Sequence, residues 1–159
     1  SLKVGDLSEL PHRAEQLAGE LRGKDREIES LTGRLATLRM ERLLAGAKDV
    51  GGVSVVTGRF EGTDPAALRV LCDRVREHSP SLVAVLAGVS GEKANIAACA
   101  GKQALEKGVH AGRLVREIAA LTGGKGGGRP DSAMAGAKDL SRLDEALAAA
   151  EKIVAQMLG

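Results

Sequence analysis

A run of nine residues from Gly123 to Asp131 constrains the fold more than any other stretch of this 159-residue chain. Five of the nine are glycine, two are the cations Lys125 and Arg129, and Pro130 stiffens the end of the run. Glycine adopts positive φ readily and has no Cβ atom, so the peptide N–H groups of such a loop can approach a phosphate or a sugar closely. A flexible linker is the alternative, although the Arg-Pro-Asp ending and the lack of a Ser-Gly repeat disfavour it.

The charge around this glycine loop indicates a nucleic-acid contact. Residues 101–129 contain six Lys or Arg and two Glu, a net charge of +4, whereas the whole chain carries +2, so the remainder sums to −2. A local basic face fits nucleic-acid binding, with a solvated helix face as the alternative. The candidate RNA-binding residues are Lys93, Lys102, Arg113, Arg116, Lys125, Gly126, Gly127, Gly128, Arg129 and Asp131. We expect Asp131 to fix the loop by bonding backbone N–H groups.

The composition limits how nucleic acid could be bound. The only aromatic residue is Phe60, so the chain lacks the platforms on which single-stranded bases stack, and it must recognise backbone and shape. Cys72 and Cys99 are predicted to be buried, reduced thiols. The three histidines show no metal-ligand spacing, no catalytic set is evident, and the glycines match neither nucleotide-binding signature. We therefore expect no enzyme activity, metal or nucleotide cofactor, and a cytoplasmic location without a membrane span.

The glycine run also carries a family resemblance. Gly-Gly-Lys-Gly-Gly-Gly-Arg-Pro-Asp, followed by Ala133, Ala135 and Gly136, resembles the signature of the DHH-associated domain near the carboxyl end of alanyl-tRNA synthetases. The resemblance extends over residues 5–158, and the domain is shared with phosphoesterases that carry histidine at the position of Arg129. The positions that depart from the synthetase pattern are Ser132, Met134 and Ala137.

The resemblance implies a non-catalytic tRNA-binding domain. In that family the domain holds the outer elbow of tRNA, helps one tRNA serve the aminoacylation and editing sites elsewhere in the enzyme, and in some members mediates self-association. Its implied partners are therefore tRNA, the catalytic and editing domains of the same enzyme, and a second copy of the chain. Two alternatives stay open: an accessory domain of a DHH-type phosphoesterase, and a pure oligomerisation module.

The first 47 residues predict a separate helical subdomain of the coiled-coil type. A helix that starts after Ser8 and ends near Ala45 would have one apolar seam, interrupted only by Lys24. The seam positions are Leu7, Leu10, Ala14, Leu17, Leu21, Lys24, Ile28, Leu31, Leu35 and Leu38. In a parallel dimer the flanking positions would oppose Glu20 to Asp25 and Arg34 to Arg39, so self-association through this helix is predicted not to be parallel.

Residues 48–159 predict a small globular α/β or α+β domain, in which a sheet is flanked by helices. The predicted order is a strand at 53–57, a helix that begins at Asp64-Pro65 and is ended by Pro80, a strand at 82–87 covered on both sides, and its hairpin partner at 94–100. The inward face of that helix is predicted to consist of Leu68, Leu71, Cys72 and Val75. A helix at 110–121, the glycine loop and a final helix at 140–158 complete the domain. The helix at 110–121 is predicted to turn Arg113 and Arg116 outward and to bury Leu114, Val115, Ile118 and Leu121.

Overall fold

A computed structural model of the chain describes residues 18–20, 22–24, 27, 34–35 and 38–159. It divides into two units, Ser1–Arg39 and Met40–Gly159, and the second contains the sheet. No helix in the described ranges is long and apolar enough to cross a membrane.

The second unit is built on a single six-stranded sheet with the strand order β1-β2-β3-β4-β6-β5. Only the β2–β3 pair is parallel, and every other neighbouring pair is antiparallel. The strands are β1 (Lys48–Val50), β2 (Val53–Glu61), β3 (Leu82–Ser90), β4 (Lys93–Ala100), β5 (Lys125–Gly128) and β6 (Ser132–Ala137). The helices are α1 (Pro65–His78), α2 (Lys102–Glu106), α3 (Ala111–Leu121), a 3₁₀ turn (Leu140–Arg142), α4 (Leu143–Ala148) and α5 (Ala150–Leu158). The predicted α/β domain with a flanked sheet is therefore confirmed.

Helices cover both faces of the central strands, as the unbroken apolar run of β3 predicts. Val83 and Val85 face the core shared with α3, α4 and α5, whereas Ala84 and Leu86 face the core beneath α1. Eight of the nine β3 residues are buried because alternate side chains enter opposite cores. We call these two surfaces of the sheet the α3 face and the α1 face.

Helix α1 begins and ends where the sequence predicts. The Asp64 carboxylate accepts a hydrogen bond from the Ala67 N–H group at 2.7 Å, and Pro65 occupies the first helical position. The inward side chains are those predicted: Leu68, Leu71, Cys72 and Val75.

Cys72 on the inner side of this helix and Cys99 on β4 beneath it are both buried free thiols, as predicted. The Cys99 thiol donates to the Cys72 carbonyl oxygen at 3.1 Å. A hydrogen bond with Cys99 and, secondly, burial raise the pKa of the Cys72 thiol well above its ordinary value.

The glycine-rich run is a strand, not the predicted loop. Residues 125–128 form β5, and the residues after Asp131 return as β6, so the two make an antiparallel hairpin at one edge of the sheet. Sequence reasoning missed both strands because glycine disfavours strands and the short apolar residues of β6 resemble a loop. It also missed β1 and α2, and the predicted last helix is divided at Ala149.

The predicted N-terminal seam falls mostly outside the described residues. Leu35 and Leu38 are helical, and their exposed fractions are 54% and 55%. The helix ends at Ala45 with Gly46 beyond it, as predicted. Within the second unit, Leu43 is buried in the same core as Phe60. The orientation of a dimer, the extent of the seam and the boundary at residue 47 stay predictions.

The Asp64 cap gives a direct test of how α1 is held. Asp64→Ala removes the acceptor for the Ala67 N–H group and should lower the free energy of unfolding by about 1 kcal/mol. Asp64→Asn keeps an acceptor oxygen and should retain most of that stability. Urea denaturation followed by circular dichroism measures both variants, and an equal loss in the two would show that the cap contributes through charge alone.

Candidate nucleic-acid interface

Strand β5 needs its glycines because other backbone lies directly against it, not because of positive φ. In the run 123–131 only Gly123 has a positive φ, +68°, where it follows the end of α3. A Cβ atom at Gly126 would overlap Ala135 and lie 2.6 Å from the Met134 carbonyl oxygen, and one at Gly128 would lie 2.8 Å from the Cα atom of Ala133. The sequence predicts that the backbone of this run comes close to a ligand. In the structure the backbone that β5 approaches closely is that of β6.

One side of β5 is a free sheet edge that presents peptide groups. The Arg129 N–H group donates to the Ser132 carbonyl oxygen at 3.0 Å. In an antiparallel ladder alternate residues direct their N–H and C=O groups away from the partner strand, so those of Gly126 and Gly128 are directed to the edge. The Gly124 N–H group follows the same alternation and donates to the Ala119 carbonyl oxygen at 2.8 Å. Two exposed glycines thus offer amide donors at the end of the sheet.

Helix α3 adds arginine side chains to this edge. The His110 side chain caps the helix by accepting from the Arg113 N–H group at 3.2 Å, and α3 packs under β5 and β6. Arg113 and Arg116 are exposed, as predicted, while their neighbours Leu114 and Val115 are buried. A guanidinium nitrogen of Arg116 lies 3.4 Å from the position that a Gly127 Cβ atom would occupy. The structure therefore brings Arg116 beside the glycine strand, while Arg113 is exposed on the same helix.

The hairpin turn places Arg129 and Asp131 in an ion-pair cluster. The Asp131 carboxylate lies 3.2 Å from the Arg76 guanidinium and 3.5 Å from Arg129 Nε, whereas we expected it to bond backbone N–H groups. Arg76 also lies 3.5 Å from Asp73, one turn earlier on α1. Arg129 is the most exposed member of the cluster, with 70% of its side chain accessible, so it can reach a ligand.

A groove of about 540 Å³ runs along the α1 face between the hairpin and the first turns of α1. Its lining includes the apolar residues Ala97 and Met134 and the two arginines Arg69 and Arg129. Two of the residues that depart from the family pattern, Ser132 and Met134, line this groove, whereas the third, Ala137, packs against the core on the α3 face.

Lys93 and Lys102 lie at opposite ends of β4, so they cannot both join the arginines in one patch. Lys93 is the first residue of β4, and Lys102 begins α2 after that strand ends, so the eight-residue strand separates them by roughly 25 Å. Lys107, which contributed to the predicted local charge, donates from Nζ to the Gly52 carbonyl oxygen at 3.0 Å. The basic segment of the sequence is therefore spread over several parts of the domain.

Sequence reasoning missed two arginines of α1 that the fold brings to this site. Arg69 lines the groove, and Arg76 bonds Asp131. The missed signal was helical spacing, because Arg69, Asp73 and Arg76 are four and three residues apart and share one side of α1. Across the part of the chain that the structure describes, no three His, Cys, Asp or Glu side chains are grouped closely enough to hold a metal ion.

Comparison with known proteins identifies the family of the globular part and relatives of its fold. The family model described as the DHHA1 domain matches residues 52–156, so the chain belongs to the DHHA1 domain family. The fold is similar to part of RecJ from Thermus thermophilus, with a TM-score of 0.56, 16% identity, and coverage of 84% of this chain and 20% of that protein.

More specific matches fall within one branch of this family. The chain is 45% identical to an alanine–tRNA ligase of Shouchella clausii over 147 residues. The aligned region covers 92% of this chain and 17% of the ligase. The C-Ala domain of Aquifex aeolicus alanyl-tRNA synthetase is 31% identical with a TM-score of 0.64, covering 69% of this chain and 97% of that domain. These matches place the chain with the C-terminal domains of alanyl-tRNA synthetases, and it spans about a sixth of the length of the ligase it matches.

Neighbouring glycines of β5 provide a matched test of the backbone contacts. Gly126→Ala should lower the free energy of unfolding by about 2 kcal/mol or more, because its Cβ atom would overlap Ala135. Gly127→Ala should cost far less, since its Cβ atom would meet only the flexible end of Arg116, at 3.4 Å. Thermal and urea unfolding of the two variants measure the difference, and equal stabilities would contradict the close packing of β5 on β6.

Proposed function

We propose that this chain is a non-catalytic tRNA-binding domain of an alanine–tRNA ligase, and that the free edge of β5 is its main contact with RNA. The observation that supports this most directly is the glycine strand itself. Its edge presents the peptide groups of Gly126 and Gly128, with Arg116 on one side and Arg129 at the turn. Amide donors flanked by guanidinium groups bind phosphate oxygens through charge-assisted hydrogen bonds.

The chemistry of this edge favours recognition of folded RNA by backbone and shape. Phe60, the sole aromatic residue of the chain, is 9% exposed and lies in the core beneath α1. It offers no stacking platform for a splayed base, whereas the guanidinium and amide donors of the β5 edge suit phosphate and ribose oxygens. Lys125, Arg113 and Arg129 extend the contact along the strand, and Lys93 and Lys102 lie too far apart to take part together.

The family resemblance suggests the finer role. In the intact ligase the domain holds the outer elbow of tRNA, so that one bound tRNA can reach the aminoacylation site and then the editing site. The proposal also includes self-association through the N-terminal helix, in an orientation that is not parallel. It includes a cytoplasmic location as well.

Binding of tRNA to the full chain should be strongly salt-dependent. With about four cations at the edge, a plot of log K against log salt concentration should have a slope of about −2 to −4. Fluorescence anisotropy with labelled tRNA, and with a single-stranded oligonucleotide as competitor, measures both affinity and preference. Tighter binding of the single strand or of its end would favour a phosphoesterase accessory role, and no binding would leave an oligomerisation module.

Arg116→Ala tests the position of the contact. It removes the guanidinium beside Gly127 and should weaken tRNA binding by about 1 kcal/mol, roughly fivefold, with little change in thermal stability. Lys152→Ala is the matched control, because it removes an exposed cation from α5 instead of the β5 edge. Equal losses in the two variants would show that RNA binding depends on net charge and not on this edge.

A further inference from the structure

The Asp131 carboxylate occupies an unusual position for a site that binds a polyanion. Its two oxygens are divided between two arginines: Oδ2 lies 3.2 Å from the Arg76 guanidinium, and Oδ1 lies 3.5 Å from Arg129 Nε. Arg76 is anchored on α1 and is mostly buried, whereas Arg129 is exposed on the hairpin turn. The carboxylate therefore joins a fixed arginine to an exposed one.

The backbone of the turn is held independently of this side chain. The Asp131 carbonyl oxygen accepts from the Ala100 N–H group at 3.0 Å, and the Pro130 carbonyl oxygen accepts from the Ala111 N–H group at 2.7 Å. The Arg129 N–H group closes the hairpin on Ser132. Since β4, α3 and β6 each anchor the turn, the carboxylate is not needed to form it. What the carboxylate restricts is the direction of the Arg129 side chain.

We propose that Asp131 is a positioning residue that orients the Arg129 guanidinium for RNA, does not touch RNA itself, and is held in place by Arg76. This inference rests on the proposed function, because it assumes that Arg129 contacts phosphate. An arginine side chain has several rotatable bonds, and a carboxylate that engages Nε leaves the terminal nitrogens free for a ligand. Arg76 keeps the carboxylate on the side of α1, away from an incoming phosphate.

The variant Asp131→Asn distinguishes positioning of Arg129 from repulsion of phosphate by the carboxylate, because the two explanations predict opposite changes in tRNA affinity. If the carboxylate only repels phosphate, its removal tightens tRNA binding. If it positions Arg129, the variant binds about threefold to tenfold more weakly although the protein has become more basic. The log–log salt slope should then become shallower by about 1, as expected when one phosphate contact is lost.

A double-mutant cycle connects the effect to Arg129. Once Arg129→Ala has been introduced, adding Asp131→Asn should weaken binding no further, because the side chain that Asp131 orients is gone. Arg76→Ala should lower the affinity less than Arg129→Ala does, since it acts through the carboxylate. Asp144→Asn is the matched control: its carboxylate is also paired with an arginine, Arg59, at 3.3 Å, but on a different part of the domain.

A measurement without RNA keeps failure of this inference distinct from failure of the proposed function. The Arg129 Nε–H resonance in heteronuclear NMR spectra should report a restricted side chain in the parent and a mobile one in Asp131→Asn, while thermal unfolding shows that the fold is retained. If the parent does not bind tRNA but this restriction is lost in the variant, the proposed function is wrong and the orienting ion pair stands. An unchanged Nε–H resonance, tighter tRNA binding by Asp131→Asn, or losses that add in the cycle would each overturn the positioning role.

Discussion

Burial of β4 on both faces is the constraint on which the rest of the domain depends. Five of its eight residues are Ala or Cys, with Ala97 and Cys99 beneath α1 and Ala98 and Ala100 beneath α3. Small side chains allow helices on both sides to pack closely on the sheet, and the five residues from Ile96 to Ala100 are all buried in one core or the other. Because β4 is fixed in this way, it gives β6 a rigid template for pairing, and through β6 it sets the place of the glycine strand.

The glycine strand follows from that template. Its partner β6 directs Ala133 and Ala135 into the core on the α3 face. Strand β5 pairs beside β6 with its backbone close to the Cα atoms of β6, and α3 packs against both strands. A side chain at Gly126 or Gly128 would collide with β6, and one at Gly112 of α3 would come within 2.5 Å of the Gly128 carbonyl oxygen. Although the Gly128 carbonyl oxygen packs against α3, the outer side of β5 has no side chains at Gly126 and Gly128, which are exposed and can offer their N–H groups to a ligand. The same absence of Cβ atoms thus serves the fold and the proposed contact.

The sequence predicted the elements whose signals are local and missed those that depend on pairing. The Asp64 cap, the apolar run of β3 and the inward face of α3 each follow from neighbouring residues, and all three are confirmed. Strand β5 could not be read from its own residues, because glycine has low strand propensity and only the ladder with β6 makes it a strand. Likewise, the ion pair between Arg76 and Asp131 joins residues 55 positions apart, and no spacing rule connects them.

The distribution of charge shows why a basic stretch of sequence is an imperfect guide to a basic surface. The fold takes Lys107 to the Gly52 carbonyl oxygen, brings in Arg69 and Arg76 from α1, and sets the acidic residues Asp73 and Asp131 among the arginines. The four charges around the hairpin turn, those of Asp73, Arg76, Asp131 and Arg129, sum to zero. These ion pairs are partly exposed to solvent, and pairs of this kind add little to the free energy of folding. What these ion pairs can determine is the direction of the Arg129 side chain. Because the cluster is neutral, it cannot attract RNA by net charge, and any affinity at the turn must come from the position of the exposed Arg129 guanidinium.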